Sequence, residues 1–143
     1  MGVLIVLFVF FLSANAIAEM PVKQLKIAKH TFLVEVANTD AGRSQGLMFR
    51  ESMGENNGML FVFSETAPHS MWMMNTYIPL SVAFLDEGGV ILNIADMMPR
   101  TVTAHHSAGP SKYAIEMNLG WFAARNIKPG ARVTGLETVP DPE

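Results

Sequence analysis

The segment from Leu80 to Ala95 limits the fold of this chain more than any other. Leu80-Ser-Val-Ala-Phe-Leu85 alternates apolar and small residues, the period of a strand. Asp86-Glu-Gly-Gly89 follows as a turn, because paired glycines supply the positive φ that tight hairpins need. Val90 to Ala95 then reads as the returning strand. The same grammar recurs on both sides. Phe32-Leu-Val-Glu-Val-Ala37 places Phe32, Val34 and Val36 on one face of a strand. Met59-Leu-Phe-Val-Phe63 is apolar on both faces, which suits a central buried strand, and Asn57-Gly58 before it is a turn signal. Ser70 to Met74 reads as extended, and the polar stretch from Pro99 to Ser111 as a loop. Lys112-Tyr-Ala-Ile-Glu-Met117 and Ala131-Arg-Val-Thr-Gly-Leu136 complete the strands, the second entered through the turn Lys128-Pro129-Gly130.

Two short helices interrupt this pattern. Thr39-Asp40 can cap the first, running to about Met48 and carrying Gly42 and Gly46, each of which costs about 1 kcal/mol relative to Ala. Tertiary packing must therefore hold it in place. Asn118 can cap the second, with Leu119, Phe122, Ala123 and Ile127 on its buried stripe. The expected fold is mainly β of the α+β kind. About seven short strands and two short helices form a small curled sheet or barrel.

The first residues carry a different signal. Val3 to Leu12 is an unbroken apolar run, followed by the small-x-small patterns Ala14-Asn15-Ala16 and Ala16-Ile17-Ala18. The run is shorter than the roughly 20 residues that cross a bilayer. Residues 1–18 therefore read as a secretory signal peptide, although no Lys or Arg precedes the run. Residues 19–137 are then one domain in the periplasm or outside the cell, and 138–143 a frayed, proline-containing tail. Membrane contact is expected only through the N-terminal segment, should it be retained. With no cysteine in 143 residues there is no disulfide, lipid anchor, thiolate metal site or cysteine nucleophile. The formal charge of -3 and the absence of a basic run exclude nucleic acid as an expected partner.

Several stretches, taken in order, carry a resemblance. They are Arg43-Ser-Gln-Gly-Leu-Met-Phe-Arg50, Gly58-Met-Leu-Phe-Val-Phe63, Trp72-Met-Met-Asn-Thr76 with Pro79-Leu80, Asp86, Tyr113-Ala-Ile-Glu116 with Gly120, and Gly130. Together they resemble the domain-of-unknown-function family 192, from about Lys26 to Leu136. The resemblance implies a compact, mostly β domain, largely exported, with no activity attached. Met71, Met74 and His105-His106 stand outside the family pattern, so any role of theirs belongs to this protein.

Three constellations can carry chemistry. Trp72 offers a flat apolar surface with one donor, and Asn75 both a donor and an acceptor, a pairing that suits a sugar ring or a peptide. The competing reading makes Trp72 a core residue and Asn75 a turn residue. Glu116 shares a strand face with Ala114. If that face is the barrel interior, Arg43 or Arg50 is its expected partner. Trp72, Asn75, Arg50 and Glu116, with Arg43 and Asn118 behind them, form the expected ligand-binding set. The alternative is a copper site, since thioether and imidazole suit Cu(I). Its candidates are Met71, Met73, Met74, His69, His105 and His106, against an ordinary core-filling role for methionine. No cofactor other than this copper is expected. A third reading is a hydrolase of envelope material using Asp86 with Glu87 or Asp96, although turn geometry alone explains two of these acids. The preferred expectation is a non-catalytic exported domain that binds a small ligand, a glycan or an envelope protein.

Overall fold

The computed structural model describes residues 19–143; the expected signal segment lies outside the described residues. The strands are β1 (Val22–Ile27), β2 (His30–Ala37), β3 (Asn57–Ala67), β4 (Ser70–Met71), β5 (Leu80–Leu85), β6 (Ile91–Met97), β7 (His105–His106), β8 (Ser111–Asn118) and β9 (Val133–Thr134). The helices are α1 (Asp40–Gln45) and α2 (Trp121–Ala124), with a single 3-10 turn at Leu136–Thr138. Seven strands form one curled sheet in the order β6-β5-β8-β3-β2-β1-β9, and β4 pairs with β7 apart from it. Among the described residues, no helix is long and apolar enough to cross a membrane.

The hairpin forms as expected. Asp86 Oδ1 accepts from the Val90 N–H at 2.9 Å, and Gly89 takes φ +79°. β5 departs from simple alternation, since all six of its residues are buried. Both faces of the sheet are covered, so an in-and-out pattern is not required of a central strand. β2 and β3 run parallel, Val34 opposite Gly58 and Val36 opposite Leu60. A parallel pair needs a crossover, and α1 with the residues up to Asn56 provides it.

The sheet separates two apolar layers. On the concave side Ile27, Val34, Leu60, Ile115, Leu85 and Ile91 meet, drawn from both ends of the sheet. Trp121 and Phe122 of α2 fill this space, with the Trp121 ring edge-on to Phe32 at 5.0 Å. The segment before and within β9 closes one end of the curl. It pairs with β1 on one side, while the Val133 N–H donates to Gly89 O and the Ile91 N–H to Ala131 O, both at 2.8 Å. On the opposite face Met59, Phe61, Val82, Phe84 and Ala114 are covered by Leu47, Met73 and Ile78 from the loops.

Four local expectations are corrected. Asn57-Gly58 is the start of β3 and not a turn; the turn is at 55–56. Gly58 is needed for close approach, because a Cβ there would lie 2.3 Å from the main-chain oxygen of Glu116. Asn118 does not cap α2. Gly120, in the left-handed region at φ +80°, takes that place, while the Asn118 amide donates to Met53 O and Gly54 O at 3.1 Å. Leu119 and Ala123 are exposed, and Trp121 joins Phe122 and Ile127 on the buried side. β9 is two residues long where six were expected, because the chain leaves the sheet at Gly135, φ +100°, for the 3-10 turn. At the C-terminal end, the Glu143 N–H donates to Asn38 O at 2.7 Å, and the Asn38 amide donates to Asp141 O at 2.9 Å.

Candidate functional site

On the convex face, a cavity of about 240 Å³ opens between α1 with its following turn and the loop from Ser70 to Thr76. Its apolar wall comes from Leu47, Met48, Phe61, Phe63, Met71 and Met74, and its polar wall from Arg43, Ser44, Gln45, Ser70 and Thr76. Trp72, 49% exposed, lies at its edge, and Glu116 lines it from β8.

Each element places its residue for a physical reason. Thr39 caps α1, its Oγ1 accepting from the Gly42 N–H at 3.0 Å, which satisfies one of the free donors at the helix start. α1 ends at Gly46, φ +48°, where a Cβ would come within 3.2 Å of the Phe61 ring. A side chain there would press on a ring of the cavity wall. The rim is tied across three loops. The Phe49 N–H donates to Asn75 O at 2.9 Å, Arg100 N–H to Thr76 O at 3.0 Å, and Met73 N–H to Thr101 O at 3.0 Å. Phe49, Asn75 and Arg100 are three of the five non-glycine residues with positive φ among the described residues. Backbone strain of this kind persists where the surroundings hold it, and it clusters at binding sites.

Glu116 is 4% exposed. It sits on β8 opposite Met59 of β3 and Val82 of β5. Among the described residues no side chain or main-chain group hydrogen-bonds to its carboxyl group. Burial alone pushes its pKa up from 4.5 to about 8. The acid is therefore mostly protonated at neutral pH.

The expected Arg–Glu116 pair does not form. Arg43 donates instead to Val62 O at 2.9 Å, Asp40 Oδ1 at 2.6 Å and the main-chain oxygen of Glu143 at 3.0 Å. Arg50 makes a two-pronged ion pair with Glu35 of β2, outside the cavity. That bond is the main reason the Arg50 pKa is raised. Glu116 lies neither in the barrel interior nor in solvent. Its face of the sheet is the convex one, roofed by α1 and the loops.

The structure thus gathers Trp72, Glu116 and Arg43 from the expected ligand set, together with Met71 and Met74 from the copper set. Asn75 lies in the rim turn, with its main chain and not its amide in the hydrogen bond above. Asn118 and Arg50 stand apart. Met73 is fully buried in the convex-side core. His69 stacks on Phe63 at 3.8 Å and its Nε2 meets Glu65 O at 3.0 Å. In the β4–β7 pair, His105 faces Met71 and His106 faces Ser70, and the His105 Nε2 is buried without a partner among the described residues. Asp86 is held in its turn, Asp96 accepts from Ser81 Oγ at 2.7 Å, and Glu87 from Thr66 Oγ1 at 2.5 Å. None of these three acids lines the Glu116 cavity. Met48, Phe61 and Phe63 were not expected at a site; the strand period groups Phe61 and Phe63 with Met59, but only the packed helix shows which of them meets a cavity.

A mostly β half-barrel with a roofed convex cavity defines the class of the protein. The family model for domain-of-unknown-function family 192 (DUF192), described as "Uncharacterized ACR", matches residues 23–135, and the chain belongs to this family. Two solved structures are similar. One is described as a "putative transcription regulator" from Sinorhizobium meliloti 1021. It is 34% identical with a TM-score of 0.78, covering 80% of this chain and 94% of that one. The other is a protein of unknown function from Novosphingobium aromaticivorans DSM 12444, 33% identical with a TM-score of 0.78, covering 82% and 87%. No curated protein matches the chain.

Proposed function

We propose that this protein is an exported domain of the cell envelope whose convex cavity binds a small molecule without transforming it. One observation carries the reading: a carboxyl group stands buried on the wall of an open cavity with no partner among the described residues. A buried polar group without a partner costs free energy, which a ligand that supplies one recovers. Apolar walls with a few convergent polar groups are the usual make-up of a small-molecule site. Two further depressions, near Asp96 and near Glu35, offer less. Asp96 and Glu35 on their walls are already bonded, to Ser81 and Arg50. Among the described residues Glu116 is the single acid on the cavity wall, so the two-carboxylate arrangement of a glycoside hydrolase is not what supports a function here. Export rests on the apolar run and cleavage pattern of residues 1–18. One solved relative is described as a regulator of transcription, yet a net charge of -3 offers little to a phosphate backbone, and we propose no nucleic-acid partner.

A thermal-shift screen of the protein with sugars, peptidoglycan fragments, amines and metals tests the reading. A ligand at 100 times its Kd stabilises by about 2.7 kcal/mol. Trp72→Ala should stay folded and lose that shift. A screen in which nothing stabilises the protein, or in which Trp72→Ala responds as the wild type does, overturns it. Copper is the second reading, favoured by Met48, Met71 and Met74 on one wall and by the unpartnered His105 Nε2 across from Met71. It expects competition with a Cu(I) chelator that Met71→Leu with Met74→Leu abolishes.

A further inference from the structure

The cavity fixes the charge of its ligand as well as its place. Resting on the binding function above, we propose that the ligand is a small organic ammonium ion, its positive nitrogen set against the Glu116 carboxylate and the rings of the wall. Three features of the geometry converge on this.

The first is the missing counter-charge. Among the described residues, the basic groups on this side of the sheet are already engaged. Arg43 of α1 spends its donors on Val62, Asp40 and Glu143. Lys112, on the same face of β8 four residues earlier, donates through Nζ to Phe63 O at 2.8 Å. His69, beyond the end of β3's buried part, lies against Phe63 and bonds Glu65 O. The flanking residues of β3 and β5, Met59 and Val82, bring no charge. Among the described residues, a carboxylate here has no cation to pair with.

The second is the lining. Phe61, Phe63 and Trp72 present aromatic rings, and Met48, Met71 and Met74 present polarisable sulfur. Aromatic faces attract cations, most strongly where water is excluded. Anions find no free donor of full charge on this wall.

The third is the freedom of the carboxyl itself. Main-chain donors do not hold it, and it stands at the cavity surface. An ammonium ion would take the place of the proton that burial now keeps on it. Binding then releases one proton from Glu116 to solvent, and affinity depends on pH through that group.

The test uses the full domain with two cations, n-butylammonium and choline, and a neutral partner for choline in which carbon replaces the nitrogen. Calorimetry is run from about pH 6 to about pH 9, in buffers of different ionisation enthalpy. Both cations should bind, and the neutral isostere should bind at least tenfold more weakly. The Kd of choline, whose charge is fixed, should tighten by about tenfold for each pH step below about 8 and level off above it. Close to one proton should be released per cation at neutral pH. Glu116→Gln should fold, lose the preference for the cation and lose the slope. His69, against Phe63, is present in both proteins, so the difference between them belongs to Glu116. Equal binding of cation and isostere, or a choline affinity indifferent to pH and to Glu116→Gln, overturns the inference and leaves the binding function standing. If the thermal-shift screen also finds nothing, both fall.

Discussion

At the scale of single residues, Glu116 has the largest effect on the chemistry of the molecule. Its pKa is raised in the folded protein to about 8 from 4.5. The folded state thus holds this proton more tightly than the unfolded chain does. Below about 4.5 the carboxyl is neutral in both states and burial is tolerated. Between 4.5 and about 8 the unfolded chain loses the proton first, so stability falls as pH rises; above about 8 the loss is complete. The total is on the order of a few kcal/mol. Glu116→Gln keeps the shape without the charge. We expect it to flatten the stability–pH curve over this interval and to leave it more stable than the wild type at about pH 9. Urea melts of both proteins at several pH values measure this directly. A parallel fall in the two would place the ionisation elsewhere. The sequence named Glu116 as a candidate because alternation sets it opposite Tyr113 and Met117. It did not reveal that neither Arg43 nor Arg50 reaches it, because charge pairing depends on distances that only packing decides.

At the scale of elements, β3 and its neighbours show how local signals can mislead. Asn-Gly is a strong turn pair, yet here it opens a central strand. Gly58 is chosen for space: its Cβ would meet both Glu116 O and the Met117 sulfur at 2.3 Å. Gly58→Ala should cost about 1–3 kcal/mol by forcing β3 and β8 apart. Gly109→Ala, with nothing within 4 Å of the new atom, should stay within about 0.5 kcal/mol of the wild type. Chemical denaturation of the two variants gives the comparison, and equal costs would refute the steric account. The start of α1 was easier to read. Thr39 forms the expected cap, because a side-chain cap is a bond between residues three apart. The start of α2 was not legible, since its cap is a glycine in the left-handed region with no side-chain bond. β1 escaped the sequence reading altogether. Lys23, Gln24 and Lys26 break its apolar pattern, and only two of its six residues are fully buried.

At the scale of the whole molecule, the two tryptophans take opposite places. The sequence leaves Trp72 open between a ligand-binding surface and the core, and gives no sign of where Trp121 goes. In the folded protein Trp121 is 3% exposed, packs on Phe32 and Phe122, and donates through Nε1 to Asn56 Oδ1 at 3.1 Å. Trp72 stands half in solvent at the cavity edge. Trp121→Ala should therefore cost about 3–5 kcal/mol, and Trp72→Ala less than about 1 kcal/mol. Equilibrium unfolding followed by circular dichroism distinguishes the two, and a larger loss for Trp72→Ala would return it to the core. The curl explains the difference. α2 fills the concave side, where residues from both ends of the sheet converge, whereas Trp72 belongs to the loop layer roofing the convex side.

The sequence by itself determined the mainly β character, the hairpin at Asp86–Gly89, the central place of β3 and the capped start of α1, as well as the family. Each of these depends on interactions between near neighbours, or on a period that one strand repeats along its own length. Tertiary structure alone decided which face of the sheet is roofed, which tryptophan is buried, and that Glu116 meets a cavity and no arginine. Those outcomes join residues from α1, β3, the Ser70–Thr76 loop and β8, far apart in the chain. Their contact is fixed by how a twisted sheet curls and what then covers it, which no local pattern encodes.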